Sequence, residues 1–485
     1  MPLTNIYRSL GPDFSEDVSP TPAPAPALLL WNKELAEELG IDSLIDLDQE
    51  ELGRIFAGNS KLPGSEPIAL AYAGHQFGHF SPQLGDGRAH LLGEITDKNG
   101  HLVDIQLKGS GPSRFSRRGD GRCGLSPAVR EFIMSEAMHA LRVPTTRSLA
   151  VVTTGEVVYR QEEELGAVVT RVASSHLRVG TFEYFAARKN NNAIEALCEF
   201  AVKRHGPPTE KKGAELALHL LDSVIERQIR LVTAWMRVGF IHGVMNTDNT
   251  AVSGETLDYG PCAMMGTYDP MTVYSSVDRQ SRYAFGNQFG IMQWNMARLA
   301  ECLIPLIHED QDEAIEIATV IVRGIAARLE TSRLTMMGQK LGLATQEPDD
   351  ATLINKLLAK LEEEKLDYTD AFNRLTKSRK DKDVLEELTK SLGDEWINAW
   401  HERLLLEEND VESTFELMRK TNPVVIPRNH HVEEALSRIG SNLDKESIAD
   451  FMSVLRSPYE ETEKTALFQD PPSDGDCHYQ TFCGT

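Results

Sequence analysis

The stretch His242-Gly-Val-Met-Asn-Thr-Asp-Asn249, followed by Asp258-Tyr-Gly nine residues later, decides how the rest of the chain is interpreted. It places carboxylate and carboxamide side chains in short loops directly after a long amphipathic helix predicted over residues 215–238. Oxygen ligands at this density suit a hard cation such as Mg²⁺ that holds a phosphate chain. Each of these residues alone also fits an ordinary polar turn, so the prediction depends on the whole group and on its partners upstream.

The upstream partners belong to a glycine-rich, basic segment. Gly85-Asp-Gly-Arg88 precedes a strand predicted over residues 89–95, and a hairpin turn leads to a returning strand that ends at Lys108. Glycines before a strand let backbone N–H groups approach an anion closely, although most such turns have no ligand. Residues 105–147 contain eight basic and three acidic residues, in a chain of net charge −23. The segment is therefore a candidate polyphosphate-binding pocket.

A helix is predicted to follow, with Ser126 as its N-cap, Pro127 as its first residue and an apolar stripe that extends to Pro144. Glu131 and Glu136 lie off that stripe, and either one alone is expected to face solvent. A glutamate on a helix 23 residues after a strand lysine can also orient that lysine. Both uses of the glutamates stay open at this point.

The composition sets limits on the class of protein. With 485 residues, of which 41% are hydrophobic and 25% charged, the chain is expected to be soluble and globular, with several domain-sized units or one two-lobed body. The net charge of −23 disfavours nucleic acid and anionic membranes as partners. No apolar run is long enough to cross a bilayer, and no export signal is recognisable. The six cysteines form no CxxC pair and no zinc spacing, so a cytoplasmic location is expected.

The expected layout has four parts. Residues 1–60, with a proline-rich entry and two short helices expected over about 30–39 and 48–56, are predicted to be an extension without chemistry. Residues 61–180 carry the nucleotide pocket and the predicted strands, the last three of which are expected over 148–153, 157–159 and 167–172. Residues 181–460 are mainly helical, with one long helix predicted over 382–407, and residues 461–485 form a tail.

The order of these parts is that of a protein kinase: glycine loop, strand lysine, helix glutamate, long helix, His-x₆-Asn loop and Asp-aromatic-Gly. His242 and Asn249 match the kinase spacing, and Asp258-Tyr-Gly occupies the place of Asp-Phe-Gly. The position of the kinase catalytic aspartate is Val244, so the usual general base is missing. We therefore expect an α+β, kinase-like fold with a small β-rich N-lobe and a large helical C-lobe, but a different reaction.

Longer motifs are more specific than this order. The chain resembles the selenoprotein O family, called YdiU in bacteria, over essentially its whole length. The matching stretches are Tyr72-Ala-Gly-His-Gln-Phe-Gly-His-Phe, Gln83-Leu-Gly-Asp-Gly-Arg-Ala, Gln106-Leu-Lys-Gly-Ser-Gly, Arg117-Arg-Gly-Asp-Gly-Arg, His242 to Asn249, Asp258-Tyr-Gly-Pro and Ile426-Pro-Arg-Asn-His. The resemblance implies a kinase-like fold that binds ATP in a flipped orientation. It also implies transfer of AMP, or of UMP from UTP, to Ser, Thr or Tyr hydroxyls of proteins, including the chain itself.

The resemblance also implies roles for individual residues. Asp248 would accept the proton of the incoming hydroxyl. Asn249 and Asp258 would bind Mg²⁺ or Mn²⁺, and Lys108, paired with Glu131, would hold the nucleotide phosphates. The other residues implied to line the ATP site are Gly85, Gly87, Arg88, Asp120, Gly121, Arg171 and Arg178.

The tail carries Cys477 and Cys483 among its last nine residues. Animal members of the family carry selenocysteine third from the C-terminus, where this chain has Cys483. The resemblance implies redox control in which Cys483 bonds a thiol near the active site, with Cys262 as the candidate partner. A Cys477–Cys483 pair is the alternative, and two surface thiols without a role are the simplest interpretation.

Two other functions remain open on the sequence. A phosphotransferase would use the same fold, although Val244 in place of the catalytic aspartate disfavours it. An ATP-binding pseudokinase scaffold would not need Asp248, Asn249 and Asp258 together. A chain of this kind is expected to work as a monomer.

Overall fold

The computed structural model describes residues 2–41, 44, 46–160 and 162–482. It is a mixed α/β structure, in which eight of the described strands form one antiparallel sheet in the order β1-β3-β6-β7-β10-β9-β2, with β8 paired to β10. These strands are β1 (Ser15–Asp17), β2 (Ala27–Trp31), β3 (Ile68–Leu70), β6 (Ala89–Thr96), β7 (Leu102–Lys108), β8 (Cys123–Gly124), β9 (Arg147–Tyr159) and β10 (Glu163–Ala173). Two small hairpins pair β4 (Gly74–Gln76) with β5 (His79–Ser81) and β11 (Phe240–Ile241) with β12 (Ala263–Met264).

Helices make up most of the chain after the sheet. They are α1 (Lys33–Glu38), α2 (Gln49–Phe56), α3 (Leu125–Ala140), α4 (Val179–Ala186), α5 (Asn191–His205), α6 (Gly213–Val238), α7 (Gln288–Ile307), α8 (Gln311–Lys340), α9 (Asp350–Glu363), α10 (Tyr368–Lys377), α11 (Lys382–Leu392), α12 (Asp394–Leu404), α13 (Val411–Thr421), α14 (Asn429–Asn442), α15 (Lys445–Leu455) and α16 (Glu463–Ala466). In the part of the chain that the structure describes, no helix combines the length and the apolar content needed to cross a bilayer.

The central strands match the predicted ones and place the basic side chains. β6 and β7 form the hairpin expected from the sequence, with Ala89 opposite Lys108. β10 lies on the other side of β7 and places Arg171 opposite Gln106. Because side chains two residues apart on a strand share a face, Lys108, Gln106 and Arg171 project from the same face of the sheet.

The first 60 residues do more than extend the chain. β1 and β2, both within this segment, are the two edge strands of the sheet. The helix expected over residues 30–39 begins only at Lys33, because Asn32 caps it by accepting a hydrogen bond from the Leu35 N–H. The residues before it continue a strand that pairs with β9.

Three sequence-based assignments of secondary structure are wrong in detail. Ser126 is not the N-cap of α3: Gly124 holds that position, and the Ser126 N–H donates to the Glu164 carboxylate, a partner distant in sequence. The single helix expected over 382–407 divides at Gly393, which adopts a φ of 84°. The two strands expected over 148–153 and 157–159 are one strand, β9, because β10 pairs along its length through two register shifts.

Helix α3 buries both of its glutamates. Glu131 and Glu136 are only 2% and 5% exposed, so the expectation that either faces solvent is wrong. Each carboxylate meets an arginine from the sheet: Arg171 for Glu131 and Arg147 for Glu136. Burial of a charged side chain requires such a partner, and the helical periodicity alone does not reveal one.

The described part of the tail packs against the segment that follows the Asp-Tyr-Gly motif. The Thr481 hydroxyl donates to the Pro261 carbonyl over 2.7 Å, and its backbone N–H donates to the Tyr274 carbonyl. The Asp476 carboxylate accepts a hydrogen bond from the Asn429 side chain. The tail is therefore held in place by residues from three separate parts of the chain.

A buried histidine in β6 makes stability depend on pH. Burial lowers the pKa of His90 to about 4, and its Nδ1 lies 2.6 Å from the Ser110 hydroxyl. Below about pH 6.5 this histidine binds a proton in the unfolded chain but not in the folded chain. The free energy of unfolding therefore decreases as the pH falls from about 6.5 to about 4. We expect this residue to account for about 2 kcal/mol of the loss between pH 7 and pH 5. Urea unfolding of His90→Gln should show a pH dependence weaker by that amount, whereas exposed His101→Gln should match the wild type.

Candidate functional site

A cleft of about 870 Å³ lies between the sheet and the loops that follow α6. Seven arginine or lysine side chains and four aspartates line it, so it is basic although the whole chain is acidic. The residues predicted from the sequence that line it are Gly85, Gly87, Arg88, Lys108, Asp120, Gly121, Arg171, Arg178, Asp248, Asn249 and Asp258. Glu131, the remaining predicted residue, lies directly behind Lys108.

Four charged side chains form the floor of the cleft. Lys108 Nζ lies 2.6 Å from Glu131 Oε2 and also donates to Asp258. Arg171 Nε donates to Glu131 Oε1 over 2.7 Å, and its terminal nitrogen lies 3.6 Å from Asp258 Oδ1. Glu131 thus uses its two oxygens to hold the two cations that point into the cleft. A lysine fixed in this way is placed to bind a phosphate rather than to move with solvent.

Asp258 is ionised although its side chain is largely shielded from solvent, with 29% of it exposed. Desolvation opposes the charge, but the pKa of this carboxyl is lowered because Lys108, Arg171 and Arg88 are close. Its backbone has a φ of 70°, an unusual value for a residue other than glycine, which turns the chain sharply at the cleft.

The site has oxygen donors that suit a hard cation. Asn249 donates from Nδ2 to the Val244 carbonyl over 3.1 Å, which orients its side-chain amide. Its carbonyl oxygen and the Asp258 carboxylate are the donor types that Mg²⁺ and Mn²⁺ prefer. Within the described residues there is no group of three or more His, Cys, Asp or Glu side chains that could hold a metal. The donor set therefore fits a cation that takes its other ligands from phosphate and water.

Asp248 also lines the cleft, where the β4–β5 hairpin contacts it. Its Oδ2 accepts a hydrogen bond from Gln76 over 3.1 Å, and its Oδ1 is buried without a hydrogen-bond partner among the described residues. Burial raises the pKa of Asp248 to about 7. A buried carboxyl group with a raised pKa, on a residue that lines the cleft, has the properties of a general base.

Close backbone contacts form the glycine-rich wall. Gly85 has a φ of 78°, and a Cβ there would lie 2.3 Å from the Phe115 ring. A Cβ on Gly121, at a φ of 68°, would lie 2.2 Å from the backbone of Gly111. Only glycine fits either position, and the loops can therefore fold tightly around the cleft.

Two further arginines of the cleft are each paired with an aspartate. Arg178 donates to Asp86 over 3.3 Å and lies over the Tyr72 ring at 4.1 Å. Arg160 makes two hydrogen bonds to the Asp120 carboxylate, of 2.8 and 2.9 Å. Planar guanidinium groups held in this way are suited to binding phosphate oxygens in pairs.

Several cleft residues were not singled out from the sequence. Gln76, Tyr72 and Asp86 lie inside two glycine-rich motifs that were quoted, but only Gly85, Gly87 and Arg88 were selected from these motifs. Their place in the sequence could have indicated a role, because amide and carboxylate side chains beside a predicted anion-binding glycine loop are candidates for contacts in the site. Arg160 had no such signal, because it reaches the cleft from the β9–β10 connection.

The predicted thiols lie in different environments. Cys262 is buried, and burial raises its pKa to about 12, whereas Cys477 is exposed and free. Cys483 lies outside the described residues. The hydrogen bond from Thr481 to Pro261 nevertheless brings the described end of the tail next to Cys262.

Comparison with known proteins can now be set beside this geometry. A family model described as protein adenylyltransferase SelO matches residues 2–456. The chain belongs to the SelO family. Its similarity to individual members covers whole chains: a protein nucleotidyltransferase YdiU of Teredinibacter turnerae is 50% identical over 486 residues, with 100% of both chains covered.

Two further relatives carry the same description. That of Rhizobium rhizogenes is 48% identical and is covered over 97% of its length, and that of Pseudoalteromonas translucida is 48% identical and fully covered. In both comparisons all of this chain is aligned. The similarity to these relatives thus extends over all of this chain, including residues 461–485, which lie beyond the match to the family model.

Proposed function

We propose that this SelO-family chain is a protein nucleotidyltransferase. It moves AMP from ATP, or UMP from UTP, to Ser, Thr or Tyr hydroxyls of proteins, including itself. The hydroxyl oxygen forms a bond to the α-phosphorus, the bond from that phosphorus to the bridging oxygen breaks, and pyrophosphate leaves with the electron pair. The hydroxyl proton passes to Asp248.

The observation that carries this proposal is that one cleft combines a basic lining with a carboxyl group that can accept a proton. Seven basic and four acidic side chains line the cleft, so it offers positive charge for the triphosphate, which pyrophosphate release requires, and Glu131 holds Lys108 and Arg171 in place. Asp248 offers a proton acceptor elsewhere in the same cleft, although the kinase catalytic position is Val244. SelO relatives that are described as nucleotidyltransferases support the same assignment.

The residue roles follow from these contacts. Asn249 and Asp258 are proposed to hold Mg²⁺ or Mn²⁺, which neutralises phosphate charge when bound. Gly85, Gly87, Arg88, Asp120, Gly121 and Arg178 are proposed to surround the nucleotide. In this arrangement residues 61–180 act as a nucleotide-binding N-lobe, residues 181–460 as a helical C-lobe, and residues 1–60 and 461–485 as flanking segments. The protein is proposed to carry out this activity as a monomer in the cytoplasm.

Label transfer tests the proposal. The protein is incubated with divalent metal and ATP labelled at either the α- or the γ-phosphate, and label on protein is counted. We expect transfer from the α position only, and its loss in Asp258→Ala. Label from the γ position would indicate a phosphotransferase, and binding of ATP without transfer of either label would indicate a scaffold.

Redox control by the tail is a separate proposal that depends on the family resemblance. The Cys262–Cys483 pairing is supported by the contact of Thr481 with Pro261, and the Cys477–Cys483 pairing by the exposure of Cys477. Peptide mapping of the oxidised protein by mass spectrometry, with Cys262→Ser and Cys477→Ser as comparisons, distinguishes the two pairings.

The close packing around Asp248 gives a further prediction. A Cβ on Gly74 would lie 2.5 Å from Asp248 Oδ1, so Gly74→Ala must displace the carboxylate. We expect nucleotidyl transfer to fall by about 10-fold or more, because proton transfer depends on sub-ångström placement, with ATP affinity unchanged. Gly440→Ala, on an exposed helical surface with no atom within 4 Å of the new Cβ, is the matched control and should keep full activity. An unaffected transfer rate in Gly74→Ala would contradict the assignment of Asp248.

A further inference from the structure

Among the described residues, one other side chain hydrogen-bonds to the Asp248 carboxylate, and it belongs to the β4–β5 hairpin. Gln76 Nε2 donates to Oδ2 over 3.1 Å, whereas Oδ1 has no hydrogen-bond partner. A carboxylate held by one oxygen presents the other in a fixed direction. Gln76 also lines the cleft, so its amide lies between the hairpin and the space that the substrates occupy.

The residue before Gln76 is clamped to the catalytic loop. The His75 N–H donates to the Thr247 hydroxyl over 2.7 Å, and that hydroxyl donates to Glu183 over 2.5 Å. The second Glu183 oxygen lies 2.6 Å from His75 Nδ1. Glu183 is 4% exposed and uses both of its oxygens in this clamp, which closes a ring between the hairpin, the catalytic loop and α4.

The residue after Gln76 is clamped as well. The Phe77 N–H donates to both Asn246 Oδ1 and the Tyr283 hydroxyl, each over 3.1 Å. The Tyr283 hydroxyl in turn donates to Asn246 Oδ1 over 2.7 Å. The hairpin is thus bonded, on both sides of Gln76, to the two residues that immediately precede Asp248.

We infer that Gln76 is a positioning residue for the transfer reaction: through its hydrogen bond to Oδ2 it holds the Asp248 carboxylate in the orientation that accepts the proton of the incoming hydroxyl. The inference rests on the proposed function, because it assigns Asp248 the role of proton acceptor. The two clamps explain how a glutamine on a short hairpin can hold one rotamer, since its backbone cannot move independently of the catalytic loop.

Three variants test the inference in α-label transfer to protein. Gln76→Glu keeps the shape of the side chain but, ionised at pH 8, has no N–H to donate, and Gln76→Leu removes polarity altogether. His79→Leu, at the exposed position opposite Gln76 in the hairpin, is the matched control. We expect kcat to fall about 10- to 100-fold in both Gln76 variants, the usual effect of removing one hydrogen bond to a charged group, with KM for ATP and thermal stability unchanged. His79→Leu should keep the wild-type kcat.

The outcomes separate this inference from the proposed function. Wild-type kcat in Gln76→Glu would overturn it, because a packing role is satisfied by the isosteric side chain. A parallel loss of ATP affinity and thermal stability in both variants would also overturn it, in favour of a purely structural role. If the wild type transfers label from the γ-phosphate, the proposed function fails, but the same kcat comparison still tests Gln76 on that reaction. If the wild type transfers neither label, both the proposed function and the inference about Gln76 are wrong.

Discussion

Replacing Asp248 with asparagine should reduce nucleotidyl transfer by about 10²- to 10⁴-fold, the range expected when a general base is removed. Asparagine has the same shape and can still bond Gln76, but it cannot take the proton from the attacking hydroxyl. The measurement is the rate of α-label transfer to protein at saturating ATP. ATP affinity, measured by calorimetric titration, should stay close to that of the wild type, because Lys108, which is proposed to hold the triphosphate, is oriented by Glu131 and Asp258.

The same variant should not be less stable. Burial raises the pKa of Asp248 to about 7, so the folded protein holds its charged form at a cost that asparagine does not have. Urea unfolding at pH 8 should give a free energy of unfolding equal to or above that of the wild type. Unimpaired transfer in Asp248→Asn would exclude this residue as the base, and a collapse of both stability and ATP binding would show that its role is structural.

Replacing Glu131 with glutamine should have the largest effect on stability. The carboxylate bonds Lys108 and Arg171 at once, and all three side chains are at least 90% buried. Loss of one charge leaves two buried cations with Asp258 as their remaining carboxylate, and breaking a buried ion pair costs about 3–5 kcal/mol. The free energy of unfolding is measured by urea denaturation. ATP affinity should fall roughly 10-fold or more, because Lys108 and Arg171 lose the group that orients them.

Helix α3 offers a matched control for this experiment. Glu136 is buried like Glu131 and bonds Arg147 with both oxygens at 2.7 Å, but it lies away from the cleft. Glu136→Gln should lower stability by a similar order while leaving ATP affinity within about twofold. Equal losses of ATP affinity in the two variants would mean that Glu131 acts through the stability of the helix and not through Lys108.

The sequence predicted the elements whose signals are local. β6 and β7 have a hairpin turn between two apolar runs, and the Asp-Tyr-Gly and His-x₆-Asn motifs have fixed spacing. Lys108 and Glu131 could be linked in advance, but only through the order of parts in kinases. The contact itself depends on how α3 packs against the sheet. Helical periodicity does not reveal that the Glu131 carboxylate binds Arg171 of β10.

The errors share a physical cause, which is that tertiary partners override local preference. Ser126 has the residue type of a cap, yet a distant glutamate takes its N–H. The first 60 residues have the composition of a flexible extension, yet their short strands β1 and β2 form the two edge strands of the sheet. Gln76 belongs to a motif that was recognised, but its contact with Asp248 spans 172 residues and leaves no periodic trace.

The position of β2 at an edge has a consequence during synthesis. Asn32, directly after β2, donates to the Ser148 carbonyl at the start of β9, and 116 residues separate the two. At a translation rate of about 5–20 residues per second, the apolar run Leu28-Leu-Leu30 leaves the ribosome roughly 6 to 23 seconds before its partner strand. Unpaired apolar strands of this kind attract other chains, and proline obstructs such pairing. The prolines at 20, 22, 24 and 26 therefore lie where they protect the growing chain during the interval.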